Sequence, residues 1–504
     1  MISNRLLLWL CLSVSFFSTF AQVSTNPTFP TTSGNVSISF DATKGNRGLE
    51  GCRCDVYMHT GLITSKSTSP TDWKYVQGDW GKVVPRLKMT QTGIDRFVYT
   101  FNIKEFYGVP DDEQVLQLAF VFRNADGSKA GRAADGSDIY VDIYENPEDL
   151  ILLEELPGKD LSVLQPGQSL SIKGQTNRKA KLRILDAGEP IFESSADTNR
   201  FAFTYTPDKG PGLYPVTVIA TEESTQAADT LHFSYFLLPQ TQTAELPAGL
   251  LNGINRLPGG EVVLYLEAPL KSHVIVLGDM NNWQAHPDYV MQPTPDGNGF
   301  WLNLGTLEPG RWYRYQYLLD GELYLADPFS ELVLDPSHDP FIGDVFRDLP
   351  PYPEAAKGHV TIFRVEGFPY NWQVTDFEAP AVEDLFVYEL LVRDFLASHS
   401  YADLIDTLDY LQRLGVNAIE LLPVNEFEGN ISWGYNPSFH LALDKYYGDP
   451  VRFKEFIDAA HARGMAVIVD IVLNHAFGQS PLVRMYWDEA KDQPAAESPY
   501  FNPI

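Results

Sequence analysis

Residues 465–475 read M-A-V-I-V-D-I-V-L-N-H, an apolar run that ends in polar residues. Two similar runs precede it, L-F-V-Y-E-L-L-V at residues 385–392 and N-A-I-E-L-L at residues 417–422. Continuous apolar runs of this length are typical of strands that are buried on both faces, as in parallel sheets. The sequence therefore predicts three parallel strands in this part of the chain.

Helical segments separate these runs. Ser400 can cap a first helix, and Gly415 suits the position just after its end. Asp449 and Pro450 are typical of the start of a second helix, and Gly464 is typical of its end. Strands that alternate with helices predict parallel βα units, and the periodicity alone allows either a doubly wound sheet or a (β/α)8 barrel.

Before this segment, apolar and polar residues alternate in short runs that are separated by turn dipeptides. This pattern is typical of β-sandwiches. A Pro-rich stretch, with one possible strand at residues 360–365, then leads into the βα segment, and we interpret the stretch as a linker. The predicted divisions are a signal peptide at 1–22, sandwich modules at 23–147, 148–240 and 245–348, the linker at 349–382 and the βα segment at 383–504.

The aromatic residues Trp73, Tyr75 and Trp80 lie in the first module. They could form a platform for a sugar. Aromatic residues of sandwiches more often belong to the core, however, and we predict that these three do so.

The first residues differ in composition from the rest of the chain. Arg5 is followed by an apolar run from Leu6 to Phe17, and small residues stand three and one positions before a cut after Ala21. This pattern is typical of a secretory signal peptide, and the run is shorter than the roughly 20 apolar residues that a membrane span requires. We therefore expect a secreted, cell-surface or periplasmic protein with no membrane span once the leader is removed.

The chain is strongly acidic, with 66 Asp and Glu against 37 Lys and Arg and a net charge of −29. Such a surface repels phosphate backbones and anionic lipids, so the charge argues against nucleic acid and membrane-surface partners and favours a neutral ligand. Beyond the leader, Cys52 and Cys54 stand one residue apart. For these we predict two reduced thiols, with an unusual local bond as the alternative. The oligomeric state is not indicated.

The third module carries two motifs, G-D-M-N-N-W at residues 278–283 and Y-R-Y-Q-Y-L-L-D-G at residues 313–321. They resemble the early-set module that precedes the barrel in isoamylases, pullulanases and glycogen branching enzymes. In such a module tryptophan can stack on the apolar face of a sugar, so Trp283 and Trp312 are candidate glucan contacts. The alternative is that both tryptophans serve to pack the module against the barrel.

Four motifs follow one another in the βα segment: the two earlier strands, W-G-Y-N-P at residues 433–437 and D-I-V-L-N-H at residues 470–475. Their order and spacing resemble the alpha-amylase family of glycoside hydrolases. That family consists of (β/α)8 barrels that act on α-glucans, so the resemblance selects the barrel over the doubly wound sheet. The expected architecture is a multi-domain protein in which immunoglobulin-like or early-set β-sandwich modules precede an incomplete (β/α)8 TIM barrel.

The resemblance also implies roles for single residues. Tyr435 would stack under the bound sugar, His475 would hydrogen-bond to it, and Asp470 would support the network around them. Trp433 belongs to the same substrate-binding set. Asn474 would offer a side-chain oxygen to Ca²⁺, a cation that takes oxygen ligands.

Retaining hydrolysis of α-glucan needs two carboxylates about 5–5.5 Å apart, one as nucleophile and one as acid. The resemblance places both on later strands, beyond Ile504, and no residue of this sequence matches either position. We therefore expect an α-glucan hydrolase of the retaining type, present here as a truncated chain that is inactive by itself. The alternatives are a non-catalytic secreted starch-binding protein and a debranching or branching member that acts on α-1,6 links.

Overall fold

The structure is a computed structural model, and it describes residues 22–69, 71–144, 152–154, 161–488, 491 and 493–502. The predicted leader lies outside the described residues except for its last position, Gln22. Within the described residues, no helix is both long enough and apolar enough to cross a membrane.

Residues 22–69 and 71–144 form two antiparallel sheets that pack face to face around one core. The elements are β1 (Val23–Asn26), β2 (Asn35–Asp41), β3 (Tyr57–Thr64), β4 (Lys74–Gln77), β5 (Thr90–Gly93), β6 (Arg96–Asn102), α1 (Ile103–Tyr107), β7 (Val115–Arg123), β8 (Ala130–Gly131) and β9 (Ile139–Asp142). One sheet has the order β1-β2-β6-β5, and the other has the order β4-β3-β7-β8 with β9 also paired to β7. Ile38, Met58, Phe97 and Phe120 lie in the core between them.

Two predictions for this module are wrong. Cys52 and Cys54 form a disulfide, because the turn between them brings their Cα atoms to 5.2 Å, within the range that a bond requires. Trp73 and Trp80 do not belong to the core, and Trp80 is 46% exposed. The pairing of β3 with β4 is irregular here, and Tyr75 has a φ of 53°, so Tyr75 packs against the core while the tryptophans lie outside it.

The second module is built around one long strand. The elements are β10 (Leu152–Glu154), β11 (Ser162–Leu164), β12 (Leu170–Asp186), β13 (Glu189–Glu193), β14 (Thr198–Tyr205), β15 (Gly212–Thr221) and β16 (Ala228–Leu237). The first half of β12 pairs with β10 and β14, and its second half pairs with β13 and β15. Strand β16 follows β15 in the sheet, and β11 pairs with β16 in parallel.

The third module again consists of two antiparallel sheets. The elements are β17 (Gly253–Arg256), β18 (Glu261–Glu267), β19 (Val274–Gly278), β20 (Gln292–Pro293), β21 (Gly299–Thr306), β22 (Tyr313–Leu319), β23 (Leu323–Leu325), β24 (Val333–Leu334) and β25 (Val360–Phe363). The sheet orders are β17-β18-β21-β20 and β19-β22-β25-β24, with β23 on β22. Strand β25 lies in the segment predicted as a linker. Its four residues are buried and it pairs with β22, so this segment is not merely a connector.

The last region holds the parallel strands. The elements are β26 (Val387–Leu390), α2 (Val392–Phe395), α3 (Tyr401–Ile405), α4 (Leu408–Arg413), β27 (Ala418–Leu421), β28 (Asn425–Phe427), β29 (Pro437–Leu443), α5 (Pro450–His461), β30 (Ala466–Val469), α6 (Pro481–Arg484), β31 (Trp487–Asp488) and β32 (Gln493–Pro494). Strands β26, β27 and β30 pair in parallel with β27 in the centre, and β28 and β29 form a hairpin. The three predicted strands are therefore present, although each is shorter than its apolar run.

The helix boundaries follow from capping residues. Ser400 and Asp449 accept hydrogen bonds from backbone N–H groups of the first turns of α3 and α5. Gly415, with a φ of 86°, follows the end of α4. The first predicted helix is divided into α3 and α4, and the Thr407 hydroxyl donates to Leu404 O at 2.7 Å at the division. Such a local bond competes with regular helix geometry.

The parallel sheet has a buried centre and two open edges within the described residues. Ile419 and Leu421 of β27 are fully buried. Val387 on β26 and Val469 on β30 are each 42% exposed, and Leu473, which follows β30, is 76% exposed. Open sheet edges with exposed apolar residues are prone to pairing with other chains.

Candidate active site

Polar side chains collect at the carboxyl end of the parallel sheet. Glu389 of β26 is the register partner of Glu420 of β27. Asp470 directly follows β30, and its N–H donates to Leu421 O at 3.0 Å. Because the carboxyl ends of parallel strands meet at one edge, this edge is where the loops of such folds build their sites.

The loop between β28 and β29 carries Tyr435 to this edge and is held by its own polar side chains. The Ser432 hydroxyl donates to Asn436 Oδ1, and Asn436 Nδ2 donates to Glu428 O at 3.1 Å. Arg393, which follows β26, donates from Nη1 to Ser432 O at 3.0 Å. The loop is thus fixed both internally and to the short helix α2 that follows β26.

Gly434 precedes Tyr435 at a point where the chain turns sharply. Its φ is 90°, and a Cβ atom at this position would lie 2.4 Å from Pro423 O. A side chain here would be strained and would also clash with the backbone. The glycine of the W-G-Y-N-P motif therefore allows the loop to pass close to the end of β27.

Two hydrogen bonds join this loop to the segment after β30. The Tyr435 hydroxyl donates to Asp470 Oδ2 at 2.5 Å. His475 Nε2 donates to Tyr435 O at 2.8 Å, and the carbonyl of His475 in turn lies 3.2 Å from His440 Nε2. The residues that the resemblance singled out from two distant motifs are therefore in direct contact, and we call Tyr435, Asp470 and His475 the Tyr435 site.

The charges around Tyr435 keep its hydroxyl protonated. The hydrogen bond to Asp470, together with partial burial and the nearby carboxylates of Glu389 and Glu420, raises the pKa of Tyr435 to about 12. The side chain is 41% exposed. At physiological pH it is a neutral, accessible ring whose orientation is fixed by a carboxylate.

A cavity of about 720 Å³ adjoins the Tyr435 site. His475 and its neighbour Asn474 line one side of it. Aromatic rings make up much of the rest: Phe477, Trp487, Tyr500 and Phe501. Pockets that combine apolar rings with a few polar groups are typical of small-ligand sites.

The protein-family model of the alpha-amylase catalytic domain matches residues 400–502. These residues run from the cap of α3 to the end of the described chain. This part of the chain belongs to the alpha-amylase family of glycoside hydrolases. The matched residues include the whole Tyr435 site, Trp433 and Asn474. The three sheet-rich modules lie before them.

Relatives of the alpha-amylase family align with part of the chain. Malto-oligosyltrehalose trehalohydrolase of Saccharolobus solfataricus is 32% identical over 180 residues, which is 36% of this chain and 28% of that protein. A 1,4-alpha-glucan branching enzyme of Corynebacterium efficiens is 30% identical over 218 residues, 41% of this chain and 26% of that protein. A Salmonella typhimurium crystal structure described as an alpha amylase covers 46% of this chain and 35% of that chain at a TM-score of 0.38 and 28% identity. The chain thus spans less than a third of the length of these two curated relatives.

The remaining predicted site residues lie in different environments. Trp433 is 62% exposed on the loop that carries Tyr435, two residues before it. Asn474 is exposed, and within the described residues no group of three or more His, Cys, Asp or Glu could hold a metal ion. Calcium binding stays a prediction and enters no step below.

Trp283 and Trp312 are both half-buried in the third module. Trp283 Nε1 donates to Asp279 Oδ1 at 3.1 Å. The Trp312 ring lies 5.8 Å from that of Phe368, and the Arg364 guanidinium lies 4.4 Å from its centroid. Trp312 also lines a cleft of about 780 Å³ that has no lining residue in common with the Tyr435 site and is otherwise lined largely by charged residues. These contacts show packing roles, and glucan binding by either ring stays a prediction.

One cluster behind the site was not predicted. Lys445, at the end of the hairpin, is 2% exposed, and its Nζ lies 2.5 Å from Glu426 Oε1 and 3.2 Å from Asp339 Oδ1. Asp444 accepts a hydrogen bond from Tyr446 N at 2.8 Å. Burial raises the pKa of Glu426 and of Asp444. Since Asp339 belongs to the third module, this buried cluster fixes the hairpin of the alpha-amylase region to that module.

Proposed function

We propose that this chain supplies the sugar-binding part of a secreted enzyme that acts on α-glucans. The observation that carries the proposal is the contact among Tyr435, Asp470 and His475 at the carboxyl end of a parallel sheet, inside the segment that belongs to the alpha-amylase family. The disulfide between Cys52 and Cys54 supports an oxidising compartment and hence secretion.

The Tyr435 site has the chemistry that a neutral sugar requires. The neutral ring of Tyr435 can pack on the apolar C–H face of a glucose unit. One oxygen of Asp470 is occupied by the tyrosine hydroxyl, and its second oxygen has no partner among the hydrogen bonds of the described residues. His475 uses Nε2 on the Tyr435 carbonyl, which leaves Nδ1 to accept a hydrogen bond from a sugar hydroxyl.

The resemblance to the alpha-amylase family suggests the type of reaction that the enzyme catalyses. Strands β26, β27 and β30 would be the first three strands of a (β/α)8 barrel, and retaining hydrolysis would proceed by double displacement between two carboxylates on later strands. The alternative activity is debranching or branching at α-1,6 links, and the similarity of the chain to a branching enzyme supports this alternative.

Isothermal titration with maltotriose tests the proposal. Tyr435→Ala removes the ring, and it should weaken binding about tenfold or more, because a central aromatic contact of this kind often contributes more than about 1.4 kcal/mol. Tyr410, which is 49% exposed on α4, provides the matched control, and Tyr410→Ala should bind as the wild type does. Equal affinities of Tyr435→Ala and the wild type would overturn the proposal.

A further inference from the structure

Four aromatic rings lie together in the first module, far along the chain from the Tyr435 site. They belong to His59, Trp73, Trp80 and Tyr140, and we call them the aromatic face. The His59 ring centroid lies 5.7 Å from that of Trp73 and 5.5 Å from that of Trp80. Trp73 Nε1 donates to the Tyr140 hydroxyl at 3.2 Å.

The aromatic face covers the outer side of the sheet that contains β3, β7 and β9. Ala119 and Val121 of β7 alternate with the core residues of that strand and therefore face away from the core. Their register partners are Tyr140 on β9 and His59 on β3. Ala119 and Val121 are nevertheless 0% and 1% exposed, so the rings shield them from solvent.

Trp80 is exposed and yet held in place. Arg123 is fully buried, and its Nη2 donates to Asp79 O at 3.0 Å and to Lys82 O at 2.6 Å, on either side of Trp80. At Gly127 an added Cβ would lie 2.8 Å from Trp80 Nε1, so only glycine leaves room for the indole. A ring that is fixed before binding loses little conformational entropy when a ligand arrives.

The charges next to the aromatic face are balanced. The Arg132 guanidinium lies 5.9 Å from the Trp80 ring centroid and forms an ion pair with Asp138. Burial lowers the pKa of His59, so this ring is neutral at physiological pH. In a protein of net charge −29, a balanced patch of rings suits a neutral ligand that carries hydroxyl groups.

The rings do not form one coplanar platform: the angle between ring planes is 90° for His59 and Trp80, 84° for Trp73 and Tyr140, and 30° for His59 and Trp73. An α-1,4-glucan chain is curved, whereas a β-1,4-glucan chain is flat and would match a coplanar platform. We propose that the aromatic face binds α-glucan as a second site and so anchors the protein to its polysaccharide. This inference rests on the proposed function for its choice of glucan.

Affinity electrophoresis of the full chain in amylopectin gels tests the inference. Trp80→Ala should raise the apparent Kd for amylopectin about tenfold, since it removes the most exposed ring of the aromatic face. The matched control is Trp372→Ala, because Trp372 is 41% exposed and lies outside the first module, and this variant should migrate as the wild type does. Trp80→Phe keeps a ring and should restore most of the retardation.

The outcomes separate this inference from the proposed function. Retardation that is lost in Trp80→Ala but kept in Tyr435→Ala supports the aromatic face. Equal retardation of Trp80→Ala and the wild type overturns it, and loss of maltotriose binding in Tyr435→Ala would then leave the proposed function standing. Two results for the wild-type chain also overturn the inference: no retardation in amylopectin, or binding to cellulose as strong as binding to amylopectin. A loss of retardation in Trp80→Phe as large as that in Trp80→Ala overturns it as well.

Discussion

Replacement of Lys445 by methionine tests how the hairpin that carries Tyr435 is held. Lys445 is buried between Glu426 at 2.5 Å and Asp339 at 3.2 Å. Methionine keeps most of the buried volume and removes the cation, so the carboxyls lose the charge that balances them. Breaking a buried ion pair in this way costs about 3–5 kcal/mol. We therefore expect that Lys445→Met lowers the free energy required to open the hairpin by about 3–5 kcal/mol at neutral pH.

The pH dependence of the defect follows from the same cluster. Burial raises the pKa of Glu426 and of Asp444, and loss of the lysine would raise both pKa values further. A carboxyl with a raised folded pKa contributes stability that is present below its unfolded pKa and lost as the pH rises through the folded pKa. The defect of Lys445→Met should therefore shrink from about pH 8 to about pH 5, by up to about 1.4 kcal/mol per pH unit for each proton taken up.

Amide hydrogen exchange followed by mass spectrometry reports the opening of residues 425–447 separately from the other modules. Lys491→Met is the matched control, because Lys491 forms an exposed pair with Asp488 at 2.7 Å and should not affect exchange in the hairpin. A change below about 1 kcal/mol for Lys445→Met at neutral pH, or an equal change at both pH values, would refute the reasoning.

Two further predictions concern other parts of the alpha-amylase region. Gly434→Ala should weaken maltotriose binding at least about fivefold in a titration, because the new methyl group would meet Pro423 O, and unchanged binding would contradict the close approach. Burial acts to raise the pKa of Asp458, but hydrogen bonds from the N–H groups of Gln373 and Val374 outweigh burial and lower the pKa. The hydrogen bonds of Asp458 to residues 370–374 should therefore stabilise this segment above the ordinary Asp pKa, and this stabilisation should be lost as the pH falls below it. Amide exchange that is identical in the wild type and Asp458→Asn at about pH 7 would count against this prediction.

The sequence predicts the parallel strands and the site motifs well because both depend on local signals. Apolar runs mark β26, β27 and β30, and the polar residues at their ends converge because parallel strands finish at one edge. The contact of Tyr435 with Asp470 and His475 could be anticipated from the resemblance. The hydrogen bond from His475 Nε2 to a backbone carbonyl could not, since motifs do not specify which ring nitrogen is used.

The features that sequence reasoning missed depend on contacts between distant residues. The possible strand in the Pro-rich segment is present as β25, but the sequence did not predict that it pairs with β22 and β24 of the third module. The partners of Lys445 come from residue 426 and from another module, so a lysine beside two tyrosines gave no clear signal. Trp80 is outside the core because a buried arginine from β7 holds its loop, a contact that composition does not reveal.

The account depends most on the Tyr435 site as the place where a glucose unit binds. A crystal structure of the chain with maltotriose tests this directly. We predict a sugar ring packed on the Tyr435 side chain, with hydroxyl groups hydrogen-bonded to Asp470 and to His475 Nδ1. Maltotriose found only at the aromatic face, or elsewhere with the Tyr435 ring uncovered, would contradict the account.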